Sequence, residues 1–121
     1  MSAICKYGDI IAVNIAGESK GQQQHFVRHA VVVSADIINE NLPTVIVCPL
    51  IEAEQVKRSR IGATYIPKEE TGLDFDCVVF SLQVKTIYKD QIVQRVGTLS
   101  FQYQLQLKES LQAVLELEEY T

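Results

Sequence analysis

The sequence lacks an excess of basic residues. Its 11 lysines and arginines are outnumbered by 15 aspartates and glutamates, which gives a formal net charge of −4 and a pI near 5.1. Affinity for a nucleic-acid backbone comes mainly from the neutralisation of phosphates. The composition therefore excludes a generally basic nucleic-acid coat and argues against tight, non-specific DNA binding. Any contact with RNA or DNA requires a local basic patch.

The sequence also lacks paired cysteines. Cys5, Cys48 and Cys77 are odd in number, far apart and in no CxxC pair, so zinc-ligand spacing is absent and no metal site is expected. Cys48 and Cys77 lie in apolar runs and are predicted to be small core residues. Cys5, near the terminus, could be exposed. The pattern suits a reducing cytosol.

A long apolar run is missing as well. The first apolar stretch, residues 10–15, follows Asp9 and is far too short to span a membrane. With no targeting segment visible, a cytoplasmic protein is expected. The length of 121 residues and the 47% apolar content predict one domain over residues 1–121, large enough to bury a core.

The apolar residues that are present fall into short β-branched runs between polar turns. This pattern predicts strands at residues 10–15, 26–34, 44–50, 63–66, 77–82, 84–87 and within 90–97. The glycine-containing stretch 17–24 predicts a loop, and 67–72 a turn. Residues 101–117 are rich in helix formers and follow Ser100, a plausible N-cap, so they predict a C-terminal helix. Short strands closed by one helix indicate a mainly β fold, a small barrel with a helix packed on it.

Four segments, taken in order, carry a family resemblance. They are YGDII at residues 7–11, GQQQHFVRHAVVVS at 21–34, LPTVIVCPL at 42–50 and GLDFDCVVFSLQVKTIYKDQIVQRVG at 72–97. Each is similar to a motif of the PemK/MazF toxins of type II toxin–antitoxin systems, and together they cover nearly the whole chain. The resemblance implies an SH3-like β-barrel of the CcdB/MazF type with a C-terminal helix, usually present as a homodimer.

The resemblance also implies an activity and a partner. Toxins of this family typically cleave single-stranded RNA without a metal or another cofactor, through attack by the ribose 2′-hydroxyl that leaves a cyclic phosphate and a 5′-hydroxyl. Such chemistry needs a base near the 2′-hydroxyl, an acid near the leaving oxygen and a positive group on the phosphorane. The implied partner is a small, acidic, partly disordered antitoxin that lies in the RNA groove.

Arg28 matches the catalytic arginine of one branch of the family. Its guanidinium fork can donate two parallel hydrogen bonds to a phosphate; the alternative is an ordinary surface ion pair. The threonine that accompanies this arginine in the family is replaced by Ile51, which cannot donate a proton. The arginine and aspartate of the other branch are replaced by Phe80 and Leu82.

Two histidines flank Arg28 and could supply proton transfer, because histidine titrates near neutral pH. In a strand, Arg28 and His29 point to opposite faces, whereas the direction of His25 at the end of the loop is free. We therefore expect His25, rather than His29, to be catalytic beside Arg28, the alternative being that both histidines are merely solvated. Glu52 lies beside the replaced threonine position and could act as a base, or it could be an ordinary solvated carboxylate.

RNA-binding contacts are expected from a set of polar and basic residues, namely Lys20, Gln24, Glu52, Lys57, Arg58, Gln83 and Lys85. Gln83 matches a glutamine of the family, and Lys85 stands where arginine is usual, which keeps the charge but loses the fork. Lys57 and Arg58 belong to a basic cluster that could track phosphates or form a solvated loop. The replaced catalytic residues leave a second hypothesis open. It is a catalytically weakened module that binds nucleic acid or a protein target without cleavage.

Overall fold

Seven antiparallel strands form the sheet of the described chain, which comprises residues 5–16, 25–55 and 61–117 of the computed structural model. At positions 15, 16, 25, 26 and 55 the backbone alone is described. The strands are β1 Asp9–Ala16, β2 His25–Val32, β3 Thr44–Glu52, β4 Ala63–Ile66, β5 Cys77–Phe80, β6 Lys85–Tyr88 and β7 Ile92–Thr98. Each contains valine or isoleucine, whose branched side chains fit a pleated, half-buried surface.

The described residues also contain three α-helices: α1 Asp36–Asn41, α2 Lys68–Thr71 and α3 Phe101–Leu115. The strands follow the order β4-β5-β3-β2-β1-β7, and β6 pairs with β3. The predicted mainly β fold with a C-terminal helix is confirmed. The end strands β4 and β7 are not paired with each other in these residues, so hydrogen bonds do not close the barrel. None of the helices there is long and apolar enough to cross a membrane.

β3 pairs with three other strands, and this sharing shapes the sheet. Its residues 44–47 pair with β6, residues 47–49 with β2 and residues 50–52 with β5. The last pair between β2 and β3 joins Ala30 to Pro49, which has no amide hydrogen to donate. Beyond this pair β3 follows β5 while β2 follows β1, so the two strands part.

Both faces of the sheet are buried, each in its own hydrophobic cluster. The first cluster contains Cys5, Ile11, Val13, Ala30, Val32, Val45, Val47 and Ile87. The second cluster lies beneath α3 and contains Ile10, Val31, Cys48, Ile66, Val79, Leu99 and Leu107. Successive residues of β1 therefore enter different clusters, which accounts for its continuous apolar run. Cys5, for which the sequence allowed an exposed position, is only 1% exposed because it packs in the first cluster.

Several predicted boundaries differ from the structure. β2 ends at Val32, and the hydroxyl of Ser34 then accepts the amide of Ile46 and donates to the side chain of the buried Asn39. The predicted turn 67–72 contains the short helix α2, which Gly72 ends in a left-handed conformation with φ of 79°. The predicted strand 77–82 stops at Phe80 and becomes a 3₁₀ turn. The predicted loop 17–24 lies outside the described residues.

The C-terminal helix begins after Ser100, as predicted, but the Ser100 hydroxyl makes no capping bond. The backbone carbonyl of Ser100 accepts the amide of Gln104, and the Ser100 amide donates to the carboxylate of Glu70. The helix ends at Leu115, two residues before the predicted end, because Glu116 adopts a left-handed conformation with φ of 58°. The left-handed backbone of Glu116 therefore ends the helix, although the helix-forming residues continue to Leu117.

Leu107 tests the packing of α3 on the second cluster. Its side chain is fully buried, with Tyr103 and Leu111 one turn away on the same stripe. We expect Leu107→Ala to lower the free energy of unfolding by about 2–5 kcal/mol, because it removes buried methyl groups and leaves a cavity. Urea denaturation measures this loss. Leu115→Ala, also on α3, is the matched control, since Leu115 is 47% exposed; equal losses in the two variants would contradict the packing described.

Candidate functional site

Two adjacent cavities open where β2 and β3 part. The larger of the two, which we name the Glu52 cavity, has a volume of about 350 Å³. It lies between the edge of β2 that β3 has left and the last residues of β3. Its walls are formed by Val27, Arg28, His29, Leu50, Ile51, Glu52, Leu73, Phe75 and Cys77. The space exists because β3 leaves β2 after Pro49 to pair with β5.

The smaller cavity, which we name the Lys85 cavity, has a volume of about 250 Å³. It lies on the side of the first hydrophobic cluster, and its walls are formed by Val13, Arg28, His29, Ala30, Val47, Pro49, Gln83, Lys85 and Ile87. Its floor is apolar, while Gln83 and Lys85 give it polar groups. The two cavities therefore place one carboxylate and one ammonium group on either side of the same stretch of β2.

Arg28 and His29 line both cavities. Alternation along a strand predicts that the two side chains lie on opposite faces, and His29 ranks below His25 for that reason. The faces do alternate, because Arg28 opposes Val13 and His29 opposes Ala12 on β1. Both side chains nevertheless line the same two cavities, since β3 does not pair with this part of β2.

Arg28 is exposed and carries no ion pair with a described residue. The ion pair found in the described part of the chain joins Arg95 to Asp9, at 3.9 Å. The alternative interpretation of Arg28 as half of a surface ion pair thus lacks a partner there. Because Lys85 lines the adjoining cavity, the two cations form a local positive site on a protein whose formal net charge is −4.

The structure brings together four of the residues singled out from the sequence. Arg28 and Glu52 line the Glu52 cavity, and Gln83 and Lys85 line the Lys85 cavity. His25 is the first residue of β2, opposite Ala16, and its side chain is outside what is described. The remaining predicted RNA-binding residues, Lys20, Gln24, Lys57 and Arg58, lie outside the described residues.

The replaced threonine position lies in the site itself. The pairs Val31–Cys48 and Ala30–Pro49 fix the register of β2 against β3. Two residues beyond the last of these pairs, Arg28 on β2 and Ile51 on β3 both line the Glu52 cavity. A hydroxyl at position 51 would therefore lie in the same cavity as the guanidinium, and isoleucine offers none there.

Leu82, which replaces the aspartate of the other family branch, lies away from the two cavities. A Cβ atom added to Gly62 would come within 2.7 Å of the Leu82 side chain and 3.2 Å of Val114. Leu82 therefore packs toward Gly62 and α3 and does not line either cavity. The replacement of an aspartate at this position has no polar consequence for the site around Arg28.

Cys77 contributes a neutral wall to the Glu52 cavity. Burial raises the pKa of its thiol, and the carboxylates of Asp76 and Glu52 raise it further. The thiolate is the nucleophilic form of cysteine, so a protonated Cys77 is inert near neutral pH. Within the described residues no three His, Cys, Asp or Glu side chains converge in a group that could hold a metal ion.

A third cavity of about 1010 Å³ lies at the other end of the barrel, between α3 and the turn that precedes β1. Four of its five charged side chains, all but that of Lys6, have partners within the fold. Asp9 accepts the Lys6 amide and the Thr98 hydroxyl and pairs with Arg95. Lys108 lies 5.2 Å from the centre of the Tyr7 ring. The smaller cavities, which display an arginine without an ion pair to a described residue, are therefore the better candidate for anion chemistry.

A protein-family model matches most of the chain. Residues 6–115 match the family model described as PemK-like, MazF-like toxin of type II toxin–antitoxin system. No curated protein matches the chain by sequence.

Solved structures share the fold. An endoribonuclease in complex with its cognate antitoxin from a mycobacterial species is 14% identical with a TM-score of 0.75, over 96% of this chain and 99% of that one. A MazE–MazF structure from Deinococcus radiodurans is 14% identical with a TM-score of 0.78, over 96% and 99%. Mycobacterium tuberculosis toxin MazF-mt6 is 16% identical with a TM-score of 0.73, over 92% and 99%.

Asp76 holds the segment that forms the outer wall of the Glu52 cavity. Its carboxylate accepts the Lys68 amide at 2.8 Å and the Tyr65 hydroxyl, and these bonds lower the pKa of Asp76 below its ordinary value of 3.8. The segment between Lys68 and Asp76 carries Leu73 and Phe75 of the cavity wall. The anchor therefore depends on an ionised carboxylate.

Replacing this carboxylate should destabilise the protein in a pH-dependent way. A lowered folded-state pKa stabilises the fold above the ordinary pKa, and this stabilisation is lost as the pH falls through the lowered value. We expect Asp76→Asn to reduce the free energy of unfolding at pH 7 and the deficit to shrink as the pH approaches 3. Denaturation curves across this range measure it. Exposed Asp74, changed to Asn, is the control; a deficit at Asp76 that is constant with pH would contradict the assignment.

Proposed function

The chain belongs to the PemK-like, MazF-like toxin family of type II toxin–antitoxin systems, and on that basis we propose that it is an endoribonuclease. In this proposal it cleaves single-stranded RNA without a metal ion or cofactor, at the two cavities around Arg28. The observation that carries the proposal is the position of Arg28. It is exposed, has no described carboxylate partner and lines both cavities, between Glu52 on one side and Lys85 on the other.

The chemistry requires charge stabilisation and two proton transfers. The ribose 2′-hydroxyl gives its proton to a base of the site as its oxygen attacks the adjacent phosphorus, and the 5′-oxygen of the next nucleotide leaves. Arg28 stabilises the negative charge that develops on the phosphorane, because its fork can donate two hydrogen bonds to the equatorial oxygens. A histidine of β2, either His25 or His29, protonates the leaving oxygen. The products are a 2′,3′-cyclic phosphate and a 5′-hydroxyl.

RNA binding in this proposal is local. Arg28 and Lys85 supply the positive charge that meets the backbone, while Gln83 and Glu52 offer hydrogen bonds to bases or sugars. Lys20, Gln24, Lys57 and Arg58, which lie outside the described residues, are further RNA-binding residues in the proposal. Phe75, 38% exposed on the wall of the Glu52 cavity, provides a ring on which an unpaired base can stack.

Incubation of the purified protein with a long single-stranded RNA in EDTA tests the proposal. We expect discrete cuts with cyclic phosphate ends, and we expect Arg28→Ala to reduce the cleavage rate by about 10²–10³-fold, the usual effect of removing a donor to a developing oxyanion. Arg95→Ala is the matched control, because Arg95 is an arginine remote from both cavities that should leave the rate unchanged. The rates are measured on an end-labelled RNA.

Equal cleavage by the wild type and Arg28→Ala would overturn the proposal. An absence of cleavage would do the same and would favour the second candidate, a binding module without catalysis. That candidate is supported by Ile51, an aliphatic side chain that lines the Glu52 cavity with Arg28 at the position where the family has a threonine. Tight binding of the same RNA with no cut product would identify this outcome.

Assembly and location belong to the same proposal. We propose that the chain acts as a homodimer in the cytoplasm, where its RNA substrate lies, and that a cognate antitoxin inhibits it. Phe101 and Leu105 support self-association, because they are 70% and 44% exposed and lie one turn apart on α3. Light scattering should give twice the mass of 13.6 kDa for the wild type and a single mass for the Phe101→Glu, Leu105→Glu variant. A monomeric wild type would contradict the dimer.

A further inference from the structure

Glu52 and His29 line the Glu52 cavity from two different strands. Glu52 is the last residue of β3, where it pairs with Cys77 of β5. His29 is the residue of β2 just before the pairing with β3 begins at Ala30. Both side chains are half-buried, so packing restrains each of them while the cavity leaves part of it accessible.

The cavity brings the two side chains together from different strands. The pairing of β2 with β3 stops at Ala30–Pro49. His29 lies one residue before Ala30 on β2, and Glu52 lies three residues beyond Pro49 on β3. Both side chains line the space that opens there.

We propose that Glu52 and His29 are the proton-transfer pair of this site, with Glu52 as the base and His29 as the acid. The inference rests on the ribonuclease function proposed above. The Glu52 carboxylate takes the proton of the 2′-hydroxyl as the new oxygen–phosphorus bond forms. The imidazolium of His29 gives a proton to the 5′-oxygen as its bond to phosphorus breaks. Arg28, between them along β2, holds the phosphorane oxygens.

This assignment accounts for the missing threonine. Arg28 and Ile51 line the Glu52 cavity, and the two residues that follow them along their strands, His29 and Glu52, line it as well. A shift of one residue along each strand therefore supplies an acid and a base where the expected hydroxyl is absent. In-line displacement requires the attacking and leaving oxygens on opposite sides of phosphorus, and in this assignment the base is on β3 and the acid is on β2.

A substrate with sulfur in place of the 5′-bridging oxygen separates the two roles, because a thiolate leaves without protonation. We expect His29→Gln to cut the ordinary RNA about 10²–10⁴-fold more slowly than the wild type and the sulfur substrate at close to the wild-type rate. Glu52→Gln should be slow on both substrates. Glu40→Gln, a change of an exposed carboxylate on α1, should be normal on both.

Two further measurements guard against structural effects. Imidazole in the buffer should restore cleavage of the ordinary RNA by His29→Ala but not by Glu52→Gln. In pH–rate profiles, Glu52→Gln should lose the acidic limb and His29→Gln the alkaline limb. The other charged groups around the pair are Arg28 on β2, Lys85 on β6 and Asp76 before β5, and each is retained in every variant.

The outcomes distinguish this inference from the proposed function. If Arg28→Ala stops cleavage while His29→Gln and Glu52→Gln cut like the wild type, the ribonuclease function stands and the pair is overturned. If His25→Gln, rather than His29→Gln, is rescued by the sulfur substrate, the acid is His25 and the pair is again overturned. A wild type that does not cut the ordinary RNA overturns both.

Discussion

The divided pairing of β3 is the constraint on which the site depends. A strand has two hydrogen-bonding edges, and β3 uses one for β2 and the other for β6 and then β5. Contact with β2 ends at Pro49, which has no amide hydrogen to extend a ladder. β3 then follows β5, and among the described residues the backbone of β2 between His25 and His29 pairs with β1 alone. The wedge of space left between the strands is the Glu52 cavity, so one proline and one change of partner create the concave surface beside Arg28.

The two hydrophobic clusters stabilise the strands on either side of the opening between β2 and β3. Ile10 and Ile11 are both fully buried although they point to opposite faces of β1. The first cluster fills the barrel, and α3 covers the second through Leu107. The clusters hold β1 through Ile10, Ile11 and Val13 and β2 through residues 30–32. Pairing with β1 then positions Arg28 and His29 beside the cavity.

The sequence was sufficient for much of the fold and for part of the site. β-branched runs marked the strands because burial on either face selects the same residue types, and the family motifs identified Arg28, Gln83 and Lys85, which the structure gathers around adjacent cavities. The burial of Cys5 could not be predicted because proximity to the terminus carries no information about packing. His25 ranked above His29 because the alternation rule assumes a strand with neighbours on both edges, whereas the structure places His29 on the walls of both cavities. The sequence signal for this opening is Pro49, which marks where one neighbour leaves.

Side chains along a β-strand alternate between the two faces of the sheet. A functional group displaced by one residue therefore normally lies on the opposite face. At Arg28 and Ile51 the consequence is different. The edge of β2 is open on the β3 side, so side chains from both of its faces reach the Glu52 cavity, and a polar group displaced by one position still enters the same space. The parting of two strands therefore relaxes the positional demand on the residues around Arg28. In the proposed mechanism, the site keeps its arginine, lacks the threonine hydroxyl, and still draws an acid and a base from the walls of one cavity.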